Sequence, residues 1–233
     1  MNIALIGYGA MGKMVEAIAT AKGHQIAVVV NEHHENLPAD QLAETLRMAE
    51  VAIDFSGGDA VVRNVEACML AGLPLVEGTT GWNGRIDEVR SLVTEHNGAF
   101  VYGANFSVGV NLFYRITDFA ADLIAKFGDY EAFIEEQHHS RKKDAPSGTA
   151  LKLKDIVATH IAREFSVSST RAGNIPGTHR IGFDGQADQI LLEHTARSRE
   201  GFASGAVLAA EWIEHRKGFY EFGDVMDEIC KDR

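Results

Sequence analysis

Short apolar runs alternate with longer stretches of helical period from residue 2 to about residue 103. The runs at 2–6, 25–30, 51–54, 74–77 and 99–102 are rich in Val, Ile, Leu and Ala, with little polar alternation. Strands buried on both faces read in this way. Between them, 10–21, 60–70 and 86–95 repeat apolar residues three and four apart, the spacing of a helix with one buried face. The alternation predicts βαβ units in a parallel sheet with helices on both faces, and the right-handed crossover rule narrows this to a doubly wound topology. Residues 31–50 are too short and polar to spell out a full crossover helix.

After residue 104 the rhythm changes. Residues 110–127 read as one long amphipathic helix, 130–137 as a strand and 151–163 as a helix. Strands are then expected at 178–184 and 189–196, with a helix at 202–215 behind them. This is an α+β pattern with an open mixed sheet. No Pro- or Gly-rich linker marks the change at 105–108, so a hinge of a few residues is expected there. The chain thus divides into domains at 1–105 and 106–215, with 216–233 too short to stand alone and free to return to the first. There is no internal repeat and no low-complexity segment.

Composition removes several function classes. The 233 residues are 45% apolar, enough for one sizeable core or two modest ones. No apolar run reaches the roughly 18 residues of a membrane span, and Met1 leads into a strand rather than a signal peptide. Cys68 and Cys230 are far apart and lack CxxC spacing, which argues for the reducing cytoplasm and against a disulfide framework or zinc site. With 22 basic against 33 acidic side chains, a net charge of −11 repels nucleic acid. Yet residues 138–143 read His-His-Ser-Arg-Lys-Lys, a cationic island in an acidic chain.

Two segments carry chemistry. The first is Gly7-Tyr8-Gly9-Ala10-Met11-Gly12, a GxGxxG between the first strand and the first helix. Its glycines allow a tight turn, the approach of a pyrophosphate, and close contact of helix and strand, while the helix N-terminus favours the phosphates. A glycine-rich structural turn would look similar, but the strand–turn–helix context makes 1–105 a Rossmann-like dinucleotide-binding domain. The acidic ribose partner usual about 20 positions on is replaced by Asn31, with Glu32 next, so NADH and NADPH both remain open. Strand ends at 54–56 and 78–81 belong to the same site by topology, although turn chemistry alone would also explain them.

The second segment is the island and its sequel. His138 and His139, adjacent on a strand, point to opposite faces, so they are a poor metal pair. A histidine and Lys142 at a strand edge can supply a proton and an anion contact. Pro146, Ser147, Gly148 and Thr149 then open a helix whose N-terminus can hold a carboxylate. Individually these are a solvated loop and an ordinary cap. Together they point to a small polyanionic substrate.

The run Glu136-x-His138-His139-x-x-Lys142-x-Asp144-Ala145-Pro146-Ser147-Gly148-Thr149-Ala150 closely resembles the signature of the 4-hydroxy-tetrahydrodipicolinate reductase (dihydrodipicolinate reductase) family. The resemblance extends over nearly the whole chain, through Gly7–Gly12, residues 52–56, 78–81, 104–110, Ser198-Arg199, 202–206 and 218–220. It implies NADH- or NADPH-dependent reduction of 4-hydroxy-tetrahydrodipicolinate to tetrahydrodipicolinate in the diaminopimelate route to lysine. His138 matches the acid/base residue and Lys142 the proton-donating, substrate-contacting lysine. His139, Gly148 and Thr149 match substrate-binding positions. Gly7 to Gly12, Gly78, Thr79, Thr80, Ala104, Asn105, Phe106 and Ser107 match cofactor-binding ones, with Asn31 at the ribose position. The resemblance also implies a homotetramer built through the second domain's sheet, which makes 106–215 the substrate-binding and oligomerisation domain. Two departures stand out: Asn31 where many members carry an acid, and Lys143 where an apolar residue is usual. The competing readings are a different two-domain amino-acid dehydrogenase, which would lack the His-His-to-Thr149 run, and a non-catalytic dinucleotide-binding sensor.

Overall fold

The computed structural model describes residues 1–231. Its elements begin with β1 (Asn2–Ile6), α1 (Ala10–Ala21), β2 (Gln25–Val30), α2 (Ala39–Leu46), β3 (Val51–Asp54) and α3 (Val61–Leu70). β4 (Leu75–Glu77), α4 (Ile86–Glu95), β5 (Ala99–Tyr102), α5 (Val108–Ala125), β6 (Glu131–His138) and α6 (Gly148–His160) follow. The chain continues with β7 (Ser166–Arg171), β8 (Thr178–Asp184), β9 (Gln189–Thr195), α7 (Glu200–Ile213), β10 (Gly218–Glu221) and α8 (Phe222–Lys231). Two compact units result: Met1–Val108 together with the segment from Glu200 onward, and Gly109–Arg199.

The first unit is a six-stranded sheet in the order β10-β5-β4-β3-β1-β2, parallel throughout. Its strands are apolar on both faces because both are covered. Ile3 and Leu5 point into a core shared with α1, α7 and α8, while Ala4 and Ile6 point into one shared with α2, α3 and α4. This is the doubly wound architecture that the alternating runs predict. The polar stretch 31–50 holds a crossover after all: a short turn and the two-turn helix α2, which buries Leu42, Ala43 and Leu46.

One expectation is corrected. The helix read at 202–215 is α7, and it lies on the first sheet, not behind the second. Its Ala203, Ala206, Val207, Ala209, Ala210 and Ile213 are fully buried in the core with Ile3, Leu5 and Val15. The period of an apolar helix tells which side is buried, not which sheet buries it. Small side chains let α7 lie very close to its neighbours. A Cβ on Gly205 would stand 1.7 Å from the Phe106 carbonyl oxygen and 3.3 Å from the Phe222 ring.

The second unit is a four-stranded sheet in the order β7-β6-β8-β9, with β6 and β7 parallel and the other pairs antiparallel. One face is covered by α5 and α6, which contribute Val110, Phe113, Tyr114, Ala121, Ile124, Leu153 and Val157 to a core with Ile134, Ile181 and Phe183. On the other face Arg180 bridges Glu135 at 3.0 Å and Glu193 at 2.6 Å. β7 was not expected: its Ser-Val-Ser-Ser-Thr-Arg sequence is an exposed edge strand with almost no apolar signal. β10 is a four-residue edge strand that gives little periodicity, and it leads directly into α8, which buries Phe222, Val225 and Met226. Among the described residues no helix is long and apolar enough to cross a membrane.

Gly205→Ala tests the seating of α7. Helix propensity alone would favour alanine by about 1 kcal/mol. We expect instead a net loss of about 2 kcal/mol from overpacking in urea unfolding. A neutral or stabilised variant would refute the close approach.

Candidate active site

The C-terminal ends of the parallel strands gather the residues assigned to a dinucleotide. The order of the sheet reverses at β1, which has β2 on one side and β3 on the other, the usual place for a ligand crevice. Gly7 adopts φ +84°, and its N–H donates to the Val30 carbonyl at 2.9 Å. Any Cβ there would lie 2.5 Å from the Phe55 carbonyl oxygen, so the β1 turn and the end of β3 can meet only through glycine.

Gly9 caps α1 without a side chain, the first turn carries no acid, and a Cβ on Gly9 would meet nothing within 4 Å. An open helix N-terminus with this electrostatic sign fits the pyrophosphate of a nicotinamide dinucleotide. Gly12 is buried within α1, and Tyr8 donates its hydroxyl to Glu16.

The other positions are held by local bonds. Asn31 follows β2 and accepts from the His33 N–H at 3.1 Å, and the Asn31 N–H donates to His34 Nδ1 at 3.3 Å. It therefore presents a neutral, fixed amide where an acid is usual. After β4, the Thr79 N–H donates to Glu77 Oε1 at 2.7 Å, and its hydroxyl to Asp54 Oδ1 at 3.3 Å. After β5, the Ser107 N–H donates to Asn105 Oδ1 at 2.9 Å. Phe106 differs from its neighbours: its ring is core, 4.7 Å from that of Phe222 and 6.4 Å from that of Phe55 between centroids.

In the second unit β6 alternates, so Ala132, Ile134, Glu136 and His138 are buried on one face. Glu136 has no exposed side-chain surface. It accepts from Arg171 Nη2 at 2.6 Å and Nη1 at 2.8 Å, from the Ser147 N–H at 3.2 Å, and pairs with His138 Nδ1. Burial opposes its ionisation, but the bonds from Arg171, Ser169 and His138 outweigh that and pull its pKa to about 2. The glutamate thereby fixes the His138 ring and leaves Nε2 as its unengaged nitrogen. Burial lowers the His138 pKa below the ordinary 6.5, aided by Lys142 and Arg171 and opposed by Glu136.

The ring of His179 stands edge-on to His138, 5.1 Å away between centroids. Burial first, then the neighbouring His138, lowers its pKa to about 4, so it is neutral at physiological pH. Its Nε2 lies 3.1 Å from Ser147 Oγ, which in turn caps α6 by accepting from the Ala150 N–H at 3.2 Å. The α6 first turn, with Gly148 and Thr149, carries no acid. Lys142 closes a turn by donating its N–H to the His139 carbonyl at 3.1 Å, and its Nζ lies 2.9 Å from Asp144 Oδ1. Among the described residues, none hydrogen-bonds the buried His139 Nδ1.

All five sequence-assigned residues of this unit thus lie between the end of β6 and the first turn of α6. Four others complete the network: Glu136, Ser147, Arg171 and His179. Glu136 carried a usable signal, since two residues before His138 on a strand is the same face. Ser147 was read only as part of the helix start. Arg171 and His179 carried none: they enter as the register partners of His138 and Glu136 on β7 and β8.

Profiles of one family match both parts of the chain, "Dihydrodipicolinate reductase, N-terminus" over residues 1–106 and "Dihydrodipicolinate reductase, C-terminus" over 109–226. Relatives named 4-hydroxy-tetrahydrodipicolinate reductase include one from Christiangramia forsetii, 35% identical over 100% of both chains. Another, from Staphylococcus haemolyticus, is 34% identical over 97% of this chain and 100% of its own. Among solved structures, a dipicolinate-bound dihydrodipicolinate reductase from Paenisporosarcina sp. TG-14 has a TM-score of 0.78 over 97% of this chain and 99% of its own, at 21% identity. A probable dehydrogenase from Thermotoga maritima shares the fold at a TM-score of 0.61 over 98% and 93%, at 9% identity.

The Glu136 pair has a measurable acid signature. Because its pKa falls from 4.5 to about 2 on folding, its contribution is present above the unfolded value and lost as pH falls toward 2. Between about pH 5 and 2 the wild type should lose on the order of 3 kcal/mol more than Glu136→Gln in urea unfolding. Parallel stability curves would show that Glu136 is not held ionised.

Proposed function

The chain belongs to the dihydrodipicolinate reductase family, and from that membership we propose how its own residues carry the NAD(P)H-dependent reduction of 4-hydroxy-tetrahydrodipicolinate to tetrahydrodipicolinate. This is a step of the diaminopimelate route to lysine, which we place in the cytoplasm. The bound nicotinamide supplies the hydride. The 4-hydroxyl leaves as water to give the conjugated dihydrodipicolinate, and the chain's task is to hold this small dicarboxylate and to deliver a proton to the electron-rich carbon framework that hydride addition leaves.

The observation that carries this reading is the Glu136–His138 pair at the mouth of a cationic segment. His138 is the acid, its ring oriented through Nδ1 so that Nε2 is presented. Lys142 contacts a substrate carboxylate and assists proton delivery. His139 and the N–H groups of Gly148 and Thr149, at the Ser147-capped start of α6, hold the second carboxylate. In the first unit, Gly7 to Gly12 hold the pyrophosphate, Asn31 faces the ribose, and Gly78 to Thr80 with Ala104 to Ser107 line the remainder; Phe106 contributes only its backbone.

We further propose a homotetramer built through the second unit. Support comes from α5, whose Leu112, Ile116, Phe119 and Leu123 are 40%, 52%, 70% and 47% exposed and recur at helical spacing on its outer side. Sedimentation of the wild type should give four chains, and Ile116→Glu with Phe119→Glu should give smaller species. A monomeric wild type would end this proposal.

His138→Gln should lower kcat by about a hundred- to ten-thousandfold while cofactor binding persists. In the wild type, kcat/KM should fall as pH rises through the lowered His138 pKa, because protonated His138 is the active form. The limb in kcat should lie higher, since a bound dicarboxylate favours the imidazolium. Lys142→Ala should lose both turnover and affinity for a dicarboxylate inhibitor. Unchanged turnover in His138→Gln, or full inhibitor affinity in Lys142→Ala, would remove the assigned role.

A further inference from the structure

Beneath the dinucleotide face lie two carboxyl groups that the chemistry above does not use. Asp54 ends β3 and Glu77 ends β4, and they are register partners on adjacent strands. Both are 0% exposed. Among the described residues neither forms an ion pair or a hydrogen bond with any Lys, Arg or His.

The donors around them are neutral and unevenly shared. Asp54 accepts from the Ser56 N–H at 2.7 Å, from Asn64 Nδ2 at 2.7 Å and from the Thr79 hydroxyl at 3.3 Å. Glu77 Oε1 accepts from the Thr79 N–H at 2.7 Å, whereas Glu77 Oε2 is buried with no donor facing it. On α3, Arg63 reaches the pair only through Asn64, whose Oδ1 accepts from its Nη2 at 2.8 Å. Cys68, also on α3, is buried nearby and stays a thiol, because burial first and then the two acids raise its pKa. On β5 the register partner of Glu77 is Tyr102, whose hydroxyl is likewise pushed upward, by burial and by Glu221.

Two fully buried carboxylates side by side, without a counter-ion, cannot both stay ionised. Asp54, with three donors, is the better anion. Glu77 Oε2, with none, is where the remaining proton belongs, and the hydrogen bond between the two carboxyl groups gives that proton its acceptor in Asp54. We propose that Glu77 is a positioning residue of the cofactor site: the proton it shares with Asp54 ties together the loops at Ser56 and Thr79. The inference rests on the reading of residues 78–80 as cofactor-binding. Burial raises the Glu77 pKa well above the ordinary 4.5, and the Asp54 charge raises it further, which agrees with this geometry.

The geometry says what a change would do. Losing the shared proton at alkaline pH leaves two facing anions, which push the strand-end loops apart. A glutamine at 77 keeps both the acceptor for Thr79 and a donor for Asp54, and has no proton to lose. A leucine keeps neither.

The test uses the full chain and titrates NADH and NADPH by fluorescence without substrate. Wild-type protein should show an infrared band of a protonated carboxylic acid at neutral pH, and Glu77→Gln should lack it. Above the pH at which that band disappears, the wild-type dissociation constant should rise about tenfold per pH unit, while that of Glu77→Gln stays level. Glu77→Leu should bind about tenfold more weakly at every pH, from the stranded Thr79 N–H.

Absence of the band in wild type overturns the shared proton. An alkaline limb that persists unchanged in Glu77→Gln overturns the positioning role, and this near-isosteric variant keeps that arm decisive if Glu77→Leu fails to fold. Failure of turnover with this pH pattern intact counts against the reductase reading and leaves the carboxyl pair standing. A wild type that binds neither nucleotide overturns the positioning role, and the band alone then decides the proton.

Discussion

Glu136 is a full negative charge with no exposed side-chain surface, and the architecture of the second unit follows from the need to satisfy it. An isolated buried carboxylate is too costly to keep ionised. Here Arg171 arrives from β7, the Ser147 N–H from the start of α6, and His138 from two residues along the same strand. One side chain therefore sets where β7 pairs, where α6 begins and how the imidazole is turned. The parallel pairing of β6 with β7 places Arg171 directly beside His138, a register that apolar contacts would not specify at so polar an edge.

The two units bury acids under opposite rules. In the second, a carboxylate is neutralised by a guanidinium and stays ionised. In the first, two carboxyls have no cation bonded to them, and protonation is the remaining way to remove charge. The difference follows the chemistry above each. One guanidinium or one shared proton would leave the two carboxyl groups with the same net charge, but the proton needs no long side chain in the fully buried space beneath the strand-end loops. Around the segment proposed to hold the dicarboxylate, by contrast, positive charge would be useful, and with Arg171 already bonded to Glu136, Lys142 is the cation proposed to meet an anion. Lys142 itself leans on Asp144 at 2.9 Å, which keeps it in place while the acid remains largely exposed.

How much of this could be read from the sequence depended on whether the information was local. The strands of the first sheet were legible because both faces are buried and each run is apolar throughout. The glycine turn and the segment from Glu136 to Ala150 were legible because each is contiguous. β7 was not, since Ser166–Arg171 is an exposed edge strand with little apolar signal, and its ion pair is with a glutamate 35 positions earlier. α7 was seen as a helix but assigned to the wrong sheet, because its destination rests on the fit of Gly205 against Phe106, which no periodicity encodes. Glu77 looked like the last residue of a strand. Only the register with Asp54 shows it to be one of a pair.

The lowered basicity of His138 becomes intelligible in this setting. For the acid proposed at His138, lowered basicity in the empty enzyme would make a poor donor if nothing changed on binding. The substrate, however, is a dicarboxylate, and at the proposed site its charge would enter beside a ring whose Nδ1 is already committed to an ionised glutamate. Burial is the main cause that depresses the imidazolium in the empty site, and the further effect of Lys142 and Arg171 would be partly offset by that incoming charge. In the proposed reaction the carboxylates of the substrate would thus help to load the acid that protonates its carbon framework. The cationic island performs both tasks only because Glu136 keeps its own charge at every pH near neutrality, which returns the chemistry to the buried ion pair on which the sheet is built.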